Sequence, residues 1–191
     1  MKTMYDLYNL VIGGINRLLI SPVIKHSLGK CGKAVKIGRG FRAFGIQNIE
    51  IGNDVYIGEQ ALIMTTGAKV KISDHVMFGP RVTVVSGNHR TDIVGKYMTE
   101  IKASQKRPED DRDIIFEGDN WIGANSLILA GVTIGRGSIV AGGAVVTQNI
   151  PPFSVWGGVP ARCISSRFND KELEEHLEKI RCRNEKNIIK S

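Results

Sequence analysis

From Ile122 onward an aliphatic residue returns at every sixth position, as Ile122, Ile128, Ile134, Val140 and Val146, and a small or β-branched residue keeps the same beat at Ser126, Val132, Ser138 and Ala144. This period matches neither the roughly 3.6 of an amphipathic helix nor the plain alternation of an isolated hairpin strand, so it points to stacked short strands. The beat occurs upstream as Ile51-Gly52, Ile57-Gly58 and Ile63, and after a slip of register as Ile72, Phe78-Gly79 and Val84.

Three six-residue units make one triangular turn of a β-solenoid. Strands of neighbouring turns then lie about 4.8 Å apart and pair their backbones, with alternate side chains pointing in and out. The repeating aliphatic is the inward residue. The glycine after it, as in Ile122-Gly123 and Ile134-Gly135, suits tight or left-handed backbone near a corner, and the small residue four places on fits the narrow corner interior. At 191 residues the chain is long enough for one such core without disulfide staples. Aromatics at 6% and as many as 22 glycines fit a thin interior that admits few large rings. Cys31, Cys163 and Cys182 are odd in number and form no CxxC pair, which argues against a disulfide framework and makes a reduced cytoplasm the simplest home.

The repeats, the run Asp119-Asn120-Trp121-Ile122-Gly123-Ala124-Asn125, the later Gly131-Val132-Thr133-Ile134-Gly135 and Gly142-Gly143-Ala144-Val145-Val146-Thr147, and the ending Ile150-Pro151-Pro152 through Gly157-Gly158-Val159-Pro160-Ala161-Arg162 occur in order. In this combination the chain resembles the hexapeptide-repeat acyltransferases, and more narrowly their small O-acetyltransferase branch, which includes maltose, galactoside, nodulation-factor and surface-polysaccharide acetyltransferases. The resemblance covers roughly residues 31–165 and implies an all-β, left-handed parallel β-helix. The left hand comes from the resemblance alone, because the general rule for parallel crossovers favours the opposite hand.

Outside that body, residues 1–30 are expected to form a helical cap. Leu7, Leu10, Val11, Ile15, Leu18 and Leu19 can line one helix that covers the first coil, as solenoid ends require. The alternative is a peripheral membrane contact. Asn16 and Arg17 interrupt the apolar run short of the ~20 residues a membrane span needs, and no secretory signal is evident. Residues 166–191 are expected to hold a helix opened by Asn169, with Leu173, Leu177 and Ile180 on one face, His176 in solvent and a frayed tail after Arg181.

Chemistry is expected where the period fails, in the excursion over residues 88–113. The resemblance places a catalytic histidine at the start of an acceptor loop, and His89 holds that position. Moving an acetyl group from a thioester to a hydroxyl requires removal of the alcohol proton, a task suited to imidazole as general base; the plain alternative is a water-exposed loop histidine. Asp92 can orient the ring, bind the acceptor or simply shape a turn. Asn88 and Glu59 are weaker acceptor-binding candidates. The resemblance places the pantetheine arm of acetyl-coenzyme A along Trp121, Gly123, Ala124, Ala141 and Gly142, with Thr147 and Arg162 at its nucleotide end. Trp121 also suits packing at a subunit boundary. The Gly123 N–H is a candidate oxyanion donor. A second basic residue usual after Arg162 is missing at Ser165, leaving Arg167 as a possible substitute.

The net charge of +7 and pI near 9.4 raise nucleic acid as a partner, but no nucleic-acid motif accompanies them, and a basic surface equally suits anionic coenzyme A or an anionic membrane. A zinc carbonic anhydrase of the same fold would need three histidine ligands, and His26, His75, His89 and His176 lack the necessary pairing. We therefore expect no metal and no nucleic acid. The reading is an acetyl-coenzyme A-dependent O-acetyltransferase for a sugar or surface-polysaccharide precursor, acting as a homotrimer with active sites between subunits. A serine or antibiotic acetyltransferase and a non-catalytic scaffold are the alternatives.

Overall fold

A computed structural model describes residues 3–188 of the chain, with side chains through residue 185; Met1, Lys2 and the last three residues of the expected tail lie outside the described residues. Five coils stack in sequence. The first comprises β1 (Lys30–Cys31), β2 (Lys36–Ile37) and β3 (Arg42–Phe44); the second, β4 (Ile49–Ile51), β5 (Tyr56–Ile57) and β6 (Leu62–Met64); the third, β7 (Val70–Ile72), β8 (Met77–Phe78) and β9 (Thr83–Val85). The fourth holds β10 (Ile114–Phe116), β11 (Trp121–Ile122) and β12 (Leu127–Leu129), and the fifth β13 (Thr133–Ile134), β14 (Ile139–Val140) and β15 (Val145–Val146). The hairpin of β16 (Ser154–Gly157) and β17 (Arg162–Ser166) closes the top.

Every third strand pairs in parallel, giving a first face β1-β4-β7-β10-β13, a second β2-β5-β8-β11-β14-β16 extended by antiparallel β17, and a third β3-β6-β9-β12-β15. The fold is the expected left-handed parallel β-helix. The six-residue beat is visible as vertical ladders: Ile51 pairs with Ile72 and Ile72 with Phe116 on the first face, Phe78 with Ile122 and Ile122 with Val140 on the second, Ile63 with Val84, Ile128 and Val146 in turn on the third. All are buried, and each buried aliphatic contributes on the order of 1.5–3 kcal/mol. Ser126 and Ser138, also buried, turn their hydroxyls onto corner carbonyls, Ser126 onto Gly123 O and Ser138 onto Pro151 O.

One expectation about glycine changes. The glycine after the inward aliphatic is there for close approach and does not supply the left-handed backbone. A Cβ on Gly123 would lie 2.4 Å from Gly142 N, and one on Gly58 2.4 Å from Gly79 C. The positive φ falls two residues later, on Gln60, Arg81 and Asn125. The register slips also have a single place. The extra residues between coils, Ile46–Asn48 in a 3-10 turn, the 65–68 turn and the long excursion after β9, all leave from the corner between the third and first faces.

The N-terminal segment is helical as expected, but its orientation differs. α1 (Met4–Ile15), a π-helical stretch (Asn16–Ile20) and α2 (Ser21–Ser27) form one continuous helix that Asn16 and Arg17 do not break. By length and composition alone it could cross a bilayer. Ile24 and Leu28 pack on the core of the first coil, but the rest of the apolar stripe does not: Leu7, Leu10, Val11, Leu18 and Leu19 are exposed while Asn16 and Ser21 are buried. At the other end α3 (Asp170–Ile188) runs past Arg181, beyond the expected fraying point, and Asn169 caps it through reciprocal bonds with Glu172. His176 is not a solvated residue. It packs on Phe168 with ring centroids 4.8 Å apart and edge-on to Phe153, fastening α3 to the coil.

Candidate active site

The excursion leaves β9 through a clasped neck. Gly87 bridges Asp111 in antiparallel fashion, Asn88 N donates to Asp110 O (2.9 Å), and Arg112 N donates to Ser86 O (2.9 Å). His89 is the first residue beyond this clasp, so a long loop starts from a fixed point. Its ring is exposed and, among the described residues, makes no hydrogen bond. It stays available to a hydroxyl.

Asp92 does not reach the ring. Its carboxylate accepts from Arg90 Nε (2.8 Å) and from Arg107 Nη1 (3.1 Å), while Arg107 also donates through Nη2 to Asp110 Oδ1 (3.1 Å). Arg90 Nη1 reaches across to Gln105 O (3.0 Å). The Arg90 hydrogen bond holds the Asp92 carboxyl below the usual carboxylate range, and the backbone N–H of Arg107 does the same for Asp110. This charge network gives the loop an internal frame. Arg90 and Arg107 are framing residues beyond those the sequence singles out, and the Arg90-x-Asp92 spacing is the signal that could have found them. Asn88 contributes its backbone to the neck. Glu59 lies at a different corner, between the second and third faces, paired with Arg39 Nε at 2.8 Å. It is not brought near His89 within one chain.

The predicted donor residues gather at that other corner. Trp121 stands outward on β11 in a ladder with Met77 below and Ile139 above, half exposed. Gly123 and Ala124 follow it, and Ala141 and Gly142 stack one coil higher, where Gly142 is exposed to solvent and a Cβ on it would lie 3.2 Å from Ala124 O, so that only a thin chain can lie against the backbone. Arg162 begins β17 directly above, opposite Gly157, whose missing Cβ would touch the Ala141 methyl. Small side chains over two coils thus leave a shallow vertical groove with a guanidinium at its upper end, which suits a thin arm that ends in phosphates.

The structure corrects two details and places a third. Gly123 N donates to Val140 O at 2.7 Å, so it is already used in coil stacking and is no oxyanion donor; the N–H groups of Ala124 and Gly142 have no protein acceptor among the described residues. Arg167 does not replace the missing basic residue, because its Nη1 is held by Asp119 Oδ2 (2.8 Å) and Gly137 O (2.9 Å) at the corner between the first and second faces. Thr147 lies past β15 at the corner between the third and first faces, together with the His89 loop and away from Arg162.

Within one chain, therefore, His89 and the donor groove sit on opposite edges of the third face. About five residues of extended chain separate the two corners, roughly 15 Å. No group of acidic, histidine or cysteine side chains suited to a metal ion occurs among the described residues.

Comparison with known proteins fits this architecture. The family described as "Bacterial transferase hexapeptide (six repeats)" matches residues 113–148. The galactoside O-acetyltransferase of Lactococcus lactis is 27% identical over 161 residues, 83% of this chain and 73% of that protein. A Saccharomyces cerevisiae protein assigned as an acetyltransferase is 33% identical over 145 residues, 75% of this chain and 69% of its own length. Among solved structures, a hexapeptide-repeat-containing acetyltransferase of Vibrio cholerae complexed with acetyl-coenzyme A superposes with a TM-score of 0.69 at 29% identity, covering 82% of each chain. A galactoside acetyltransferase in complex with coenzyme A gives a TM-score of 0.65 at 28% identity, over 80% of this chain and 71% of that one. The chain belongs to the hexapeptide-repeat acetyltransferases.

Proposed function

We propose that the chain transfers an acetyl group from acetyl-coenzyme A to a sugar hydroxyl, and that its working form is a homotrimer in which His89 of one protomer faces the donor groove of the next. The observation that carries this reading is the separation of His89 from the groove across the third face. A catalyst and a donor site that one chain holds apart are joined when two copies pack side by side, and cyclic symmetry repeats that junction for every protomer. The outward ladders fit such packing: Tyr56, Met77 and Trp121 on the second face and Phe44 and Met64 on the third are exposed large apolar residues, whereas the first face presents Lys30, Glu50 and Lys71. The relatives named as galactoside O-acetyltransferase, and the solved neighbours holding acetyl-coenzyme A or coenzyme A, support the donor and the sugar class.

In the reaction, the His89 imidazole takes the hydroxyl proton as the sugar oxygen attacks the thioester carbonyl carbon. Negative charge gathers on the carbonyl oxygen, where the unpartnered N–H groups of Ala124 and Gly142 can donate to it. The C–S bond then breaks, the ester forms, and the proton passes from the imidazolium to the departing thiolate. Free cysteines and a soluble thioester donor accord with a cytoplasmic setting.

The test is thiol release from acetyl-coenzyme A against a panel of sugars, amino acids and antibiotics, with His89→Ala beside the wild type. We expect one sugar class to stimulate release and His89→Ala to lower turnover by ~10²- to 10⁴-fold while donor binding persists. Full activity in the variant removes His89 from the mechanism, and stimulation by an antibiotic or amino acid alone overturns the sugar assignment.

A further inference from the structure

The N-terminal helix is inverted relative to an ordinary cap. Three of its polar residues face the protein: Ser21 is buried, Asn16 Nδ2 donates to Ile37 O (2.9 Å), closing off a carbonyl of the first coil, and Arg39 Nη1 donates to Asn9 Oδ1 (3.0 Å). Its apolar side faces outward. Leu7, Val11 and Leu18, which share one side of the helix, are each more than half exposed, as are Tyr5 and Val23, an apolar surface far beyond the scattered residues of a soluble chain.

A second, independent feature lies beside it. From Leu7 to Ile49 the chain carries seven Lys and Arg and not one Asp or Glu, so the entire net charge of +7 resides in this stretch while the rest of the chain is balanced. Lys30, Lys33, Lys36 and Arg42 of the first coil are exposed along the rim next to the helix. An apolar helical face bordered by cations and tyrosines has the chemistry of a bilayer surface rich in anionic lipid: the apolar face enters the acyl boundary, the tyrosines sit at headgroup depth and the cations meet the phosphates.

We infer that this helix docks the protein flat on an anionic membrane surface. It lies on the bilayer and does not cross it, because Asn9 and Asn16 hydrogen-bond its other side to the first coil and Ser21 is buried there. A second copy of the chain is the less fitting occupant, since stacking Lys30, Lys33, Lys36 and Arg42 of each copy against each other adds like-charge repulsion where a lipid surface neutralises them. The His89 neck leaves the third coil, two coil steps or roughly 10 Å above the first, and the helix, roughly 10 Å across, lies between the first coil and the lipid.

The test is flotation of the full chain with vesicles of phosphatidylcholine alone and of phosphatidylcholine containing roughly one-third phosphatidylglycerol. The wild type should float with the anionic vesicles only, and be released at about 1 M NaCl, where the Debye length falls to ~3 Å. The double variant Val11→Glu/Leu18→Glu should lose binding by ~10-fold or more, and Lys30→Gln/Lys33→Gln should lose the preference for anionic lipid. Both should keep wild-type mass by light scattering and wild-type thiol release with a soluble acceptor. Absence of flotation with either vesicle overturns the inference. So does a change of assembly state in Val11→Glu/Leu18→Glu, which would assign the face to a contact between copies, and so does binding that survives alkaline carbonate, which would mean a spanning helix.

Discussion

Gly123→Ala adds a single methyl group where the structure has no room for one. The new Cβ would stand 2.4 Å from Gly142 N and 2.8 Å from both Ala141 C and Gly142 Cα, where ordinary contact begins at 3.4 Å. The obstacle is backbone of the next coil, so no side chain can swing away. The fourth and fifth coils must part by about 1 Å at this corner, and the Gly123 N to Val140 O bond, 2.7 Å in the native chain, lengthens past the ~3.5 Å at which it stops counting as a hydrogen bond. Overpacking of this kind costs about 1–3 kcal/mol and the lost bond about 1 kcal/mol. For a chain of this size each kcal/mol lowers the midpoint by roughly 2–4 °C, so Gly123→Ala should melt roughly 4–16 °C below wild type in a far-ultraviolet circular dichroism scan. Widening the groove should also raise the acetyl-coenzyme A KM. Gly14→Ala is the control, since a Cβ there meets nothing within 4 Å and helix propensity favours alanine by about 1 kcal/mol. The same chemical change should therefore shift the two midpoints in opposite directions. A Gly123→Ala protein that melts with the wild type would refute the claim that coil spacing, and not backbone conformation, dictates glycine after the inward aliphatic.

Arg162→Ala should raise the donor KM by ~10-fold or more with a smaller change in kcat, as loss of a charge-assisted phosphate contact requires; steady-state kinetics with varied acetyl-coenzyme A checks it, and an unchanged KM removes Arg162 from the site. The acceptor loop should loosen in acid. Asp92 and Asp110 bind protons more weakly folded than unfolded, so their contribution is complete above the unfolded value of about 3.9 and is lost as pH falls through the lowered folded values. Amide exchange across residues 88–113 should be steady, after correction for intrinsic rates, down to about pH 5 and accelerate below about pH 4. Arg107→Ala should reproduce that acceleration at neutral pH, and a loop indifferent to both changes would show that the network does not frame it.

The coil interior was legible because a period of six admits little else. Inward residues at Ile122, Ile128, Ile134, Val140 and Val146 are all buried as their spacing requires, and a one-residue slip would expose every one. The loop was legible as a loop, since a solenoid that loses its beat must leave the coil. What the loop does internally was not, because Arg90, Asp92, Arg107 and Asp110 meet across up to twenty residues of chain with no periodic constraint. Gly123 shows a subtler limit: a glycine signals that something approaches closely, but the sequence does not say that its own N–H is spent on Val140 O. The N-terminal helix failed for a physical reason of the same kind. Hydrophobic periodicity reports that a face will be buried against something and is silent on whether that something is the chain itself.

The placement of His89 and the donor groove on opposite edges of the third face leads to a result that chains acting singly cannot give. A His89→Ala chain keeps an intact groove, and a Gly142→Trp chain keeps an intact His89 but has its groove filled at an exposed position. Each protein alone should be nearly inactive. When the two are unfolded together in equal amounts and refolded, random assembly of the proposed trimer brings His89 from a Gly142→Trp protomer against the groove of a His89→Ala protomer. For any given site the chance of the right donor chain and the right histidine chain is one half each, so about a quarter of all sites are whole and about a quarter of wild-type thiol release should return. Mixing without unfolding should restore nothing until subunits exchange. If both halves of the site came from one chain, every protomer in the mixture would carry one lesion at its own site, and activity would stay at the level of the single variants however long the proteins were mixed.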